Sequence, residues 1–120
     1  MENRALFGAW GEMQAAAYLR RHRYRLIGKN FRLRGGEIDL IAEKGAYIVF
    51  IEVKTRRDAA FAEAREYVDA QKCARIRAAA ALYLAQHETE KQPRFDVIEV
   101  YAPAGAATKT PEIRHWEAVF

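Results

Sequence analysis

Apolar residues recur at helical spacing near the start of the chain. Four of them are separated by three or four positions: Leu6, Trp10, Met13 and Ala17. This spacing predicts a helix over residues 4–23 with that stripe against the core, and the alanines at 15–17 also favour helix. Glu12 lies beside the stripe, on a face that it shares with two alanines and Leu19. An acid at the edge of an apolar helix face is a candidate functional residue.

Three strand-like runs follow, at residues 24–33, 37–42 and 47–54. The pairs Gly35-Gly36 and Lys44-Gly45 are short connections of the kind that close β-hairpins. The third run is apolar on both faces until its end, which is typical of a central strand covered by helices on either side. We therefore predict two hairpins that share a buried third strand.

The second half of the chain is predicted to contain a further helix and a further strand. Residues 55–68 have no clear period and are interpreted as a loop or an irregular helix. Asp69 suits the N-cap of a helix that runs to about His87. Its apolar stripe consists of Cys73, Ile76, Ala80, Tyr83 and Leu84. Lys72 in its first turn opposes the helix dipole, an arrangement that suits an anion-binding site.

Residues 94–100 predict another strand, 102–111 a loop, and 112–119 an edge strand. The order of elements is thus α-β-β-β-α-β, to which the edge strand adds one more β. We find no internal repeat and no domain boundary, so a single α/β domain over residues 1–120 is expected.

Composition excludes several classes of protein. The chain has 120 residues, 51% of them hydrophobic and 30% charged, which is typical of a globular domain. Cys73 is the single cysteine, which excludes a disulfide framework and a zinc site of several thiolates. No apolar run reaches the roughly 18 residues of a membrane span, and the first residues lack a signal-peptide pattern. We expect a cytoplasmic protein without a membrane partner.

The net charge of +4 is unevenly distributed. Residues 1–60 hold 12 cations and 7 anions, and residues 20–34 hold seven Lys or Arg and no acid. The planar fork of arginine suits phosphate oxygens, and Tyr24 and Phe31 could stack on exposed bases. A solvated basic strand and turn is an equally ordinary interpretation. Alone, the segment is a weak indication of nucleic-acid binding.

Strand alternation brings acids together. It places Glu37 and Asp39 on one face of their strand, and Glu52 and Lys54 on one face of the next. If the two strands pair, Asp39 approaches Glu52, and two carboxylates about 4 Å apart repel by roughly 4 kcal/mol at an effective dielectric of 20. Such a pair needs a proton, a cation or a metal ion.

Lys54 alone does not balance Asp39, Glu52 and Glu12, so a divalent ion is a candidate partner. Carboxylates without His or Cys favour Mg²⁺ or Mn²⁺ over Zn²⁺. The alternative is that Glu37, Glu52 and Lys54 are exposed strand-end residues in surface ion pairs, since Glu-x-Lys is a common tripeptide. The combination of an Asp, a following Glu-x-Lys and an upstream helical Glu favours a site.

The segment GEIDLIAEKGAYIVFIEVKTRR resembles the active-site region of the restriction-endonuclease-like, or PD-(D/E)xK, superfamily. Over residues 8–100 the chain resembles the small bacterial YraN family. Four segments carry that resemblance: Gly11-Glu12, Gly36-Glu37-Ile38-Asp39-Leu40, Phe50-Ile51-Glu52-Val53-Lys54-Thr55-Arg56 and Arg94-Phe95-Asp96-Val97. Ile38 stands where many relatives have Pro. The resemblance implies a restriction-endonuclease-like αβββαβ core, with a mixed central sheet flanked by helices.

The resemblance also implies kinship to archaeal-type Holliday-junction resolvases, and this kinship implies a function. The expected activity is metal-dependent endonucleolytic hydrolysis of phosphodiester bonds in structured or branched DNA. Asp39, Glu52, the Val53 carbonyl and Glu12 would hold Mg²⁺ or Mn²⁺, and Lys54 would orient water or stabilise transition-state charge. The expected phosphate-binding residues are Arg20, Arg21, Arg23, Arg25, Arg32, Arg34, Arg56, Arg57 and Lys72.

Other interpretations stay open at this stage. A homodimer would suit two-fold substrates such as junctions. A nucleic-acid-binding module that has lost turnover and a structural adaptor are the alternatives to an enzyme. Glu37 fits turn chemistry or a salt bridge to Arg34 equally well, and Asp96 is expected to be structural, paired with Arg94 or a helix terminus.

Overall fold

The computed structural model describes residues 3–58 and 70–120. Its elements in chain order are helix α1 (Arg4–Arg21), strands β1 (Arg25–Leu33), β2 (Gly36–Lys44) and β3 (Tyr47–Arg56), helix α2 (Ala70–Gln86), and strands β4 (Gln92–Tyr101) and β5 (Glu112–Trp116). The predicted succession and the α/β class are confirmed. The proposed N-cap Asp69 and the part of the predicted loop from residue 59 onward lie outside the described residues. Neither described helix is long and apolar enough to cross a membrane.

The five strands form one mixed sheet in the order β1-β2-β3-β4-β5. The first three strands are joined by the two predicted hairpins, and Gly35 and Gly45 supply the positive φ angles of 91° and 55° at their turns. β4 lies parallel to β3 and β5 antiparallel to β4. Parallel neighbours need a crossover connection, and α2 lies within it.

Each face of the sheet carries its own apolar cluster. On one face, α1 packs through Ala15 and Leu19 against residues that include Leu40, Ile51 and Ile98. On the other face, α2 packs through residues of its predicted stripe, which include Ile76, Ala80 and Tyr83. Residues of β2 and β3 enter both clusters, which explains the continuous apolar run of β3.

The predicted core face of α1 is wrong for its outer residues. Leu6 and Met13 are 69% and 68% exposed, whereas Gly11 and Leu19 are buried. The helix lies so close to β3 that a Cβ at Gly11 would fall 1.9 Å from Oγ1 of Thr55. Close approach therefore selects the face with the smallest side chains, not the most apolar one. The helix also ends two residues early, since Arg23 has a φ of 65°.

Candidate functional site

An open cleft of about 810 Å³ lies between the β1–β2 hairpin, the end of β3 and the first turns of α2. Its charged lining residues are Arg32, Glu37, Asp39, Glu52, Lys72 and Arg75. The hairpin packs tightly on α2, because a Cβ at Gly36 would lie 2.9 Å from the carbonyl oxygen of Arg75. The two elements thus form a wall that holds the cleft residues in place.

Asp39 is positioned where β2 and β3 stop pairing. Their register runs from Lys44 opposite Tyr47 to Leu40 opposite Ile51. One residue further along β2, Oδ2 of Asp39 accepts a hydrogen bond of 2.8 Å from the backbone N–H of Val53. The carboxylate therefore replaces a ladder bond between the diverging strands, which fixes its orientation.

Four acids influence one another electrostatically at this end of the sheet. Burial, followed by the charge of Glu52, raises the pKa of Asp39 to about 8, although the Val53 N–H opposes the shift. Glu12 and Glu37 raise the pKa of Asp39 further. Burial and Glu37 also raise the pKa of Glu12 above its ordinary value, against a hydrogen bond with Asn30. Glu12, Asp39 and Glu52 are thus close enough for their charges to interact, and their joint role in one site stays a prediction.

Two lysines balance part of this charge. The Glu52 side chain is only 11% exposed, and its Oε1 lies 2.7 Å from Nζ of Lys72 and 3.2 Å from Nζ of Lys54. Burial, together with the neighbouring Lys72, lowers the pKa of Lys54. Burial would also lower the pKa of Lys72, but its bonds with Glu52 and Lys54 outweigh this and raise it. Lys72 is therefore the more firmly protonated lysine.

The carboxylate oxygens of these acids are chemically suited to a hard divalent ion. Carboxylate oxygens with excess negative charge in a partly buried site are typical Mg²⁺ or Mn²⁺ ligands. As the side chains stand in residues 3–58 and 70–120, no three Asp, Glu, His or Cys residues form a group that could hold a metal ion. Instead, Nζ of Lys72 forms an ion pair with Oε1 of Glu52. An ion between Asp39 and Glu52 would therefore compete with Lys72.

The basic segment 20–34 does not form one surface. Arg32 lines the cleft, with Nε 3.2 Å from Oε1 of Glu37, and exposed Arg34 lies in the adjoining turn. The other arginines of the segment lie at or before the opposite end of β1: Arg20, Arg21, Arg23 and Arg25, the last of which begins the strand. Arg32 lies seven positions after Arg25 along the strand, or about 23 Å at 3.3 Å per residue.

The remaining predicted phosphate ligands lie elsewhere. Arg56 is the last residue of β3, and its carbonyl accepts a hydrogen bond from Ala102. The guanidinium of Arg57 lies 5.8 Å from the ring centre of Phe7. Lys72 faces Glu52. Whether any of these residues contacts nucleic acid stays a prediction.

The suggested stacking of bases is wrong for Tyr24, which is buried, and stays a prediction for Phe31, which is half-buried. Tyr24 is 7% exposed and belongs to the α1 cluster. Phe31 packs edge-on against Tyr83 of α2, with ring centres 5.2 Å apart. Tyr24 is part of the core on the α1 side of the sheet, and Phe31 packs against the core on the α2 side.

Sequence reasoning missed Gln71 and Arg75, which line the cleft from α2. Lys72 and Arg75 are three residues apart on one helix face, and this spacing was the available signal. Glu37 pairs with Arg32 and not with Arg34.

Asp96 has a structural environment, as expected. It is fully buried. Its carboxylate accepts hydrogen bonds from the Arg94 guanidinium at 2.7 and 3.0 Å and from the Ala118 N–H at 3.0 Å. One of its oxygens also lies 2.7 Å from Nε2 of His115. The network borders a second recess of about 420 Å³, which is lined by Tyr18, Lys44 and Arg94 among others. It ties α1 and the C-terminal segment to the sheet, away from Asp39.

Residues 11–100 match the model of the uncharacterised protein family UPF0102. The chain belongs to the UPF0102 family. A UPF0102 protein of Symbiobacterium thermophilum is 49% identical over 94 residues, which cover 78% of this chain and 80% of the relative. UPF0102 proteins of Geobacter metallireducens and Syntrophotalea carbinolica are 40% and 39% identical, over 96% and 98% of this chain and 91% and 93% of theirs. The range matched to UPF0102 contains all the cleft residues named above.

Proposed function

We propose that this UPF0102 protein is a metal-dependent endonuclease with a restriction-endonuclease-like core, which hydrolyses phosphodiester bonds in structured or branched DNA. The observation that carries the proposal is that Asp39 and Glu52 line one open cleft with basic residues, and that Nζ of Lys54 lies 3.2 Å from Oε1 of Glu52. Carboxylates at the end of two diverging strands, a lysine two residues on and arginines at the rim suit a phosphodiester substrate.

Asp39, Glu52 and the Val53 carbonyl would hold Mg²⁺ or Mn²⁺, with Glu12 completing the acidic surroundings. When bound, the ion would polarise the phosphoryl oxygen and acidify a water molecule. Lys54 would orient that water or stabilise charge on the pentacoordinate phosphorus. Burial and the neighbouring Lys72 lower the pKa of Lys54, which favours proton transfer by this lysine.

The rim would hold the substrate. Arg32 of β1 and Arg75 of α2 both line the cleft. Their guanidinium groups would hold the phosphates that flank the scissile bond. A four-way junction has two-fold symmetry, and a homodimer would present one such cleft to each of two strands.

A nucleic-acid-binding module without turnover is the second candidate. The observation that favours it is the contact between Lys72 and Glu52, because two lysines neutralise this carboxylate without a metal ion. The two candidates differ in whether Lys72 leaves Glu52 when a divalent ion is added.

The decisive test is cleavage of labelled four-way junction, fork, single-stranded and duplex DNA, each in Mg²⁺, Mn²⁺ or EDTA. Glu52→Gln removes a charge in the cleft, and Glu43→Gln is the matched control, since Glu43 lies in β2 and pairs with Arg25 at the other end of β1. We expect metal-dependent cleavage that is lost in Glu52→Gln and kept in Glu43→Gln. Binding without cleavage, unchanged in either variant, would instead support the binding module.

A further inference from the structure

The arginines at the far end of β1 form an exposed group that the cleft does not use. We call Arg20, Arg21, Arg23 and Arg25 the far group. Within residues 3–58 and 70–120, no acidic side chain forms an ion pair with Arg20, Arg21 or Arg23. Arg25 lies 3.7 Å from Glu43, but its side chain is 81% exposed, so the pair contributes little.

Helix stabilisation explains only half of the far group. Arg20 and Arg21 lie in the last turn of α1, where cations complement the carbonyl ends of the helix. Arg23 and Arg25 lie past the helix and gain nothing from it. Two acids contact residues at this end of the sheet: Glu43 lies 3.7 Å from Arg25, and Glu117 accepts a hydrogen bond from Tyr24. Four exposed guanidinium groups in six residues point to an anionic partner.

β1 joins the far group to the cleft along an edge of the sheet. β1 is the first strand in the sheet order, so one of its sides has no strand neighbour in the described sheet. Exposed Lys29 lies between Arg25 and Arg32 on this strand. Lys29 is thus the one cation on β1 between Arg32 at the cleft and Arg25, about 23 Å away.

We propose that a duplex arm of the substrate lies along the β1 edge, with its phosphates on the far group and the scissile bond in the cleft. We call this path along β1, from the cleft to the far group, the track. The inference rests on the proposed function, because it takes the cleft as one end of the track. At about 3.4 Å per base pair, 23 Å corresponds to about seven base pairs. The far group thus sets a minimum arm length.

The aromatic residues explain why the arm is double-stranded. Single-strand binding sites combine cations with aromatic rings on which bases stack. Tyr24, just before β1, is buried in the core, and the half-buried ring of Phe31 in β1 packs edge-on against Tyr83. Guanidinium groups without a stacking platform recognise a phosphate backbone, and a duplex presents that backbone without exposing its bases.

The test measures binding in EDTA, where no cleavage occurs, by fluorescence anisotropy with duplexes of about 6 and about 14 base pairs. The double variant Arg20→Gln/Arg21→Gln removes two charges from the far group. Arg77→Gln/Lys109→Gln is the matched control, because both residues are exposed and lie in α2 and in the β4–β5 connection.

We expect Arg20→Gln/Arg21→Gln to weaken binding of the longer duplex by about tenfold and that of the shorter one by less than about twofold. Loss of two phosphate contacts should also reduce the magnitude of the slope of log K against log salt concentration by about 1.8 for the longer duplex. The control should leave both affinities within about twofold.

Three results would overturn the track. They are equal weakening of both duplexes, equal weakening by the control, and a single strand of the same length that binds as tightly as the duplex. Length-dependent binding by a protein that cleaves nothing in Mg²⁺ would remove the proposed nuclease activity and leave the track as a binding surface. Cleavage without length-dependent binding would remove the track alone.

Discussion

Lys72 of α2 places its ammonium nitrogen 2.7 Å from Oε1 of Glu52 on β3. The two residues are 20 positions apart, and the contact joins the first turn of the helix to the end of the strand. A cation near the N-terminus of a helix opposes the helix dipole. Glu52 supplies the compensating charge, and the lysine in return holds the carboxylate in the cleft.

Replacing Lys72 should strengthen metal binding. Lys72→Met removes the ammonium group that competes for Glu52 while it keeps most of the side-chain volume. We expect the affinity for Mn²⁺ to rise by about three- to tenfold, which corresponds to loss of one partly exposed ion pair. Titration of Mn²⁺ at pH 7.5, followed by electron paramagnetic resonance of the free ion, measures it.

Arg75→Gln is the control for Lys72→Met. It removes a charge from the same cleft without removing a direct partner of Glu52. A smaller change in Mn²⁺ affinity is expected there. If Lys72→Met weakens Mn²⁺ binding, the lysine positions Glu52 as a ligand and does not compete for it.

Asp39→Asn should stabilise the fold. The charge of Asp39 is disfavoured by burial and by Glu52, which raise its pKa to about 8, and an amide oxygen can still accept the bond from Val53. Relief of repulsion should raise the free energy of unfolding by about 1–3 kcal/mol at pH 8.5. Urea unfolding measures this gain, and metal-dependent cleavage should be lost in the same variant. A destabilised variant would show that the Asp39 carboxylate is structural.

Asp96→Asn should have the opposite effect. Burial disfavours the Asp96 charge, but the bonds with His115 and Arg94 outweigh it and hold the pKa below its ordinary value. Loss of the charge leaves the Arg94 guanidinium poorly balanced, and we expect the free energy of unfolding to fall by about 2–4 kcal/mol at pH 7.

The loss in Asp96→Asn should depend on pH. Because the pKa of Asp96 is lower in the folded protein, its contribution is complete above the unfolded value of about 3.9 and disappears as pH falls through the folded value. Urea unfolding at neutral pH and at about pH 3 should therefore show a difference between variant and unaltered protein that shrinks in acid. A constant difference would contradict the charged network.

Gly11→Ala tests the close approach of α1 to β3. The added Cβ would lie 1.9 Å from Oγ1 of Thr55, so the helix must move, and Glu12 moves with it. We expect a loss of about 2–4 kcal/mol in the free energy of unfolding, measured by urea titration.

Gly8→Ala is the matched control in the same helix. Its Cβ would meet nothing within 4 Å, so the change should stabilise the protein by about 0.5–1 kcal/mol through helix propensity. Equal effects of the two substitutions would show that the helix does not pack on Thr55 as described.

Local patterns in the sequence determined the order of the elements. The period of each run, the glycine turns and the apolar β3 are properties of neighbouring residues, and they predicted the helices, the hairpins and the covered central strand. Strand alternation likewise predicted that Asp39 and Glu52 would approach, since a hairpin fixes which residues lie opposite one another. These inferences need only contacts between segments adjacent in the chain.

The tertiary structure decided what depends on distant segments. Thr55 selects the buried face of α1, and this overrides the apolar stripe with Leu6 and Met13 because close packing favours small residues. α2 brings Lys72 to Glu52, and the length of β1 separates Arg25 from Arg32 although both belong to one basic run. Packing between elements chooses among faces and partners that local spacing leaves equivalent.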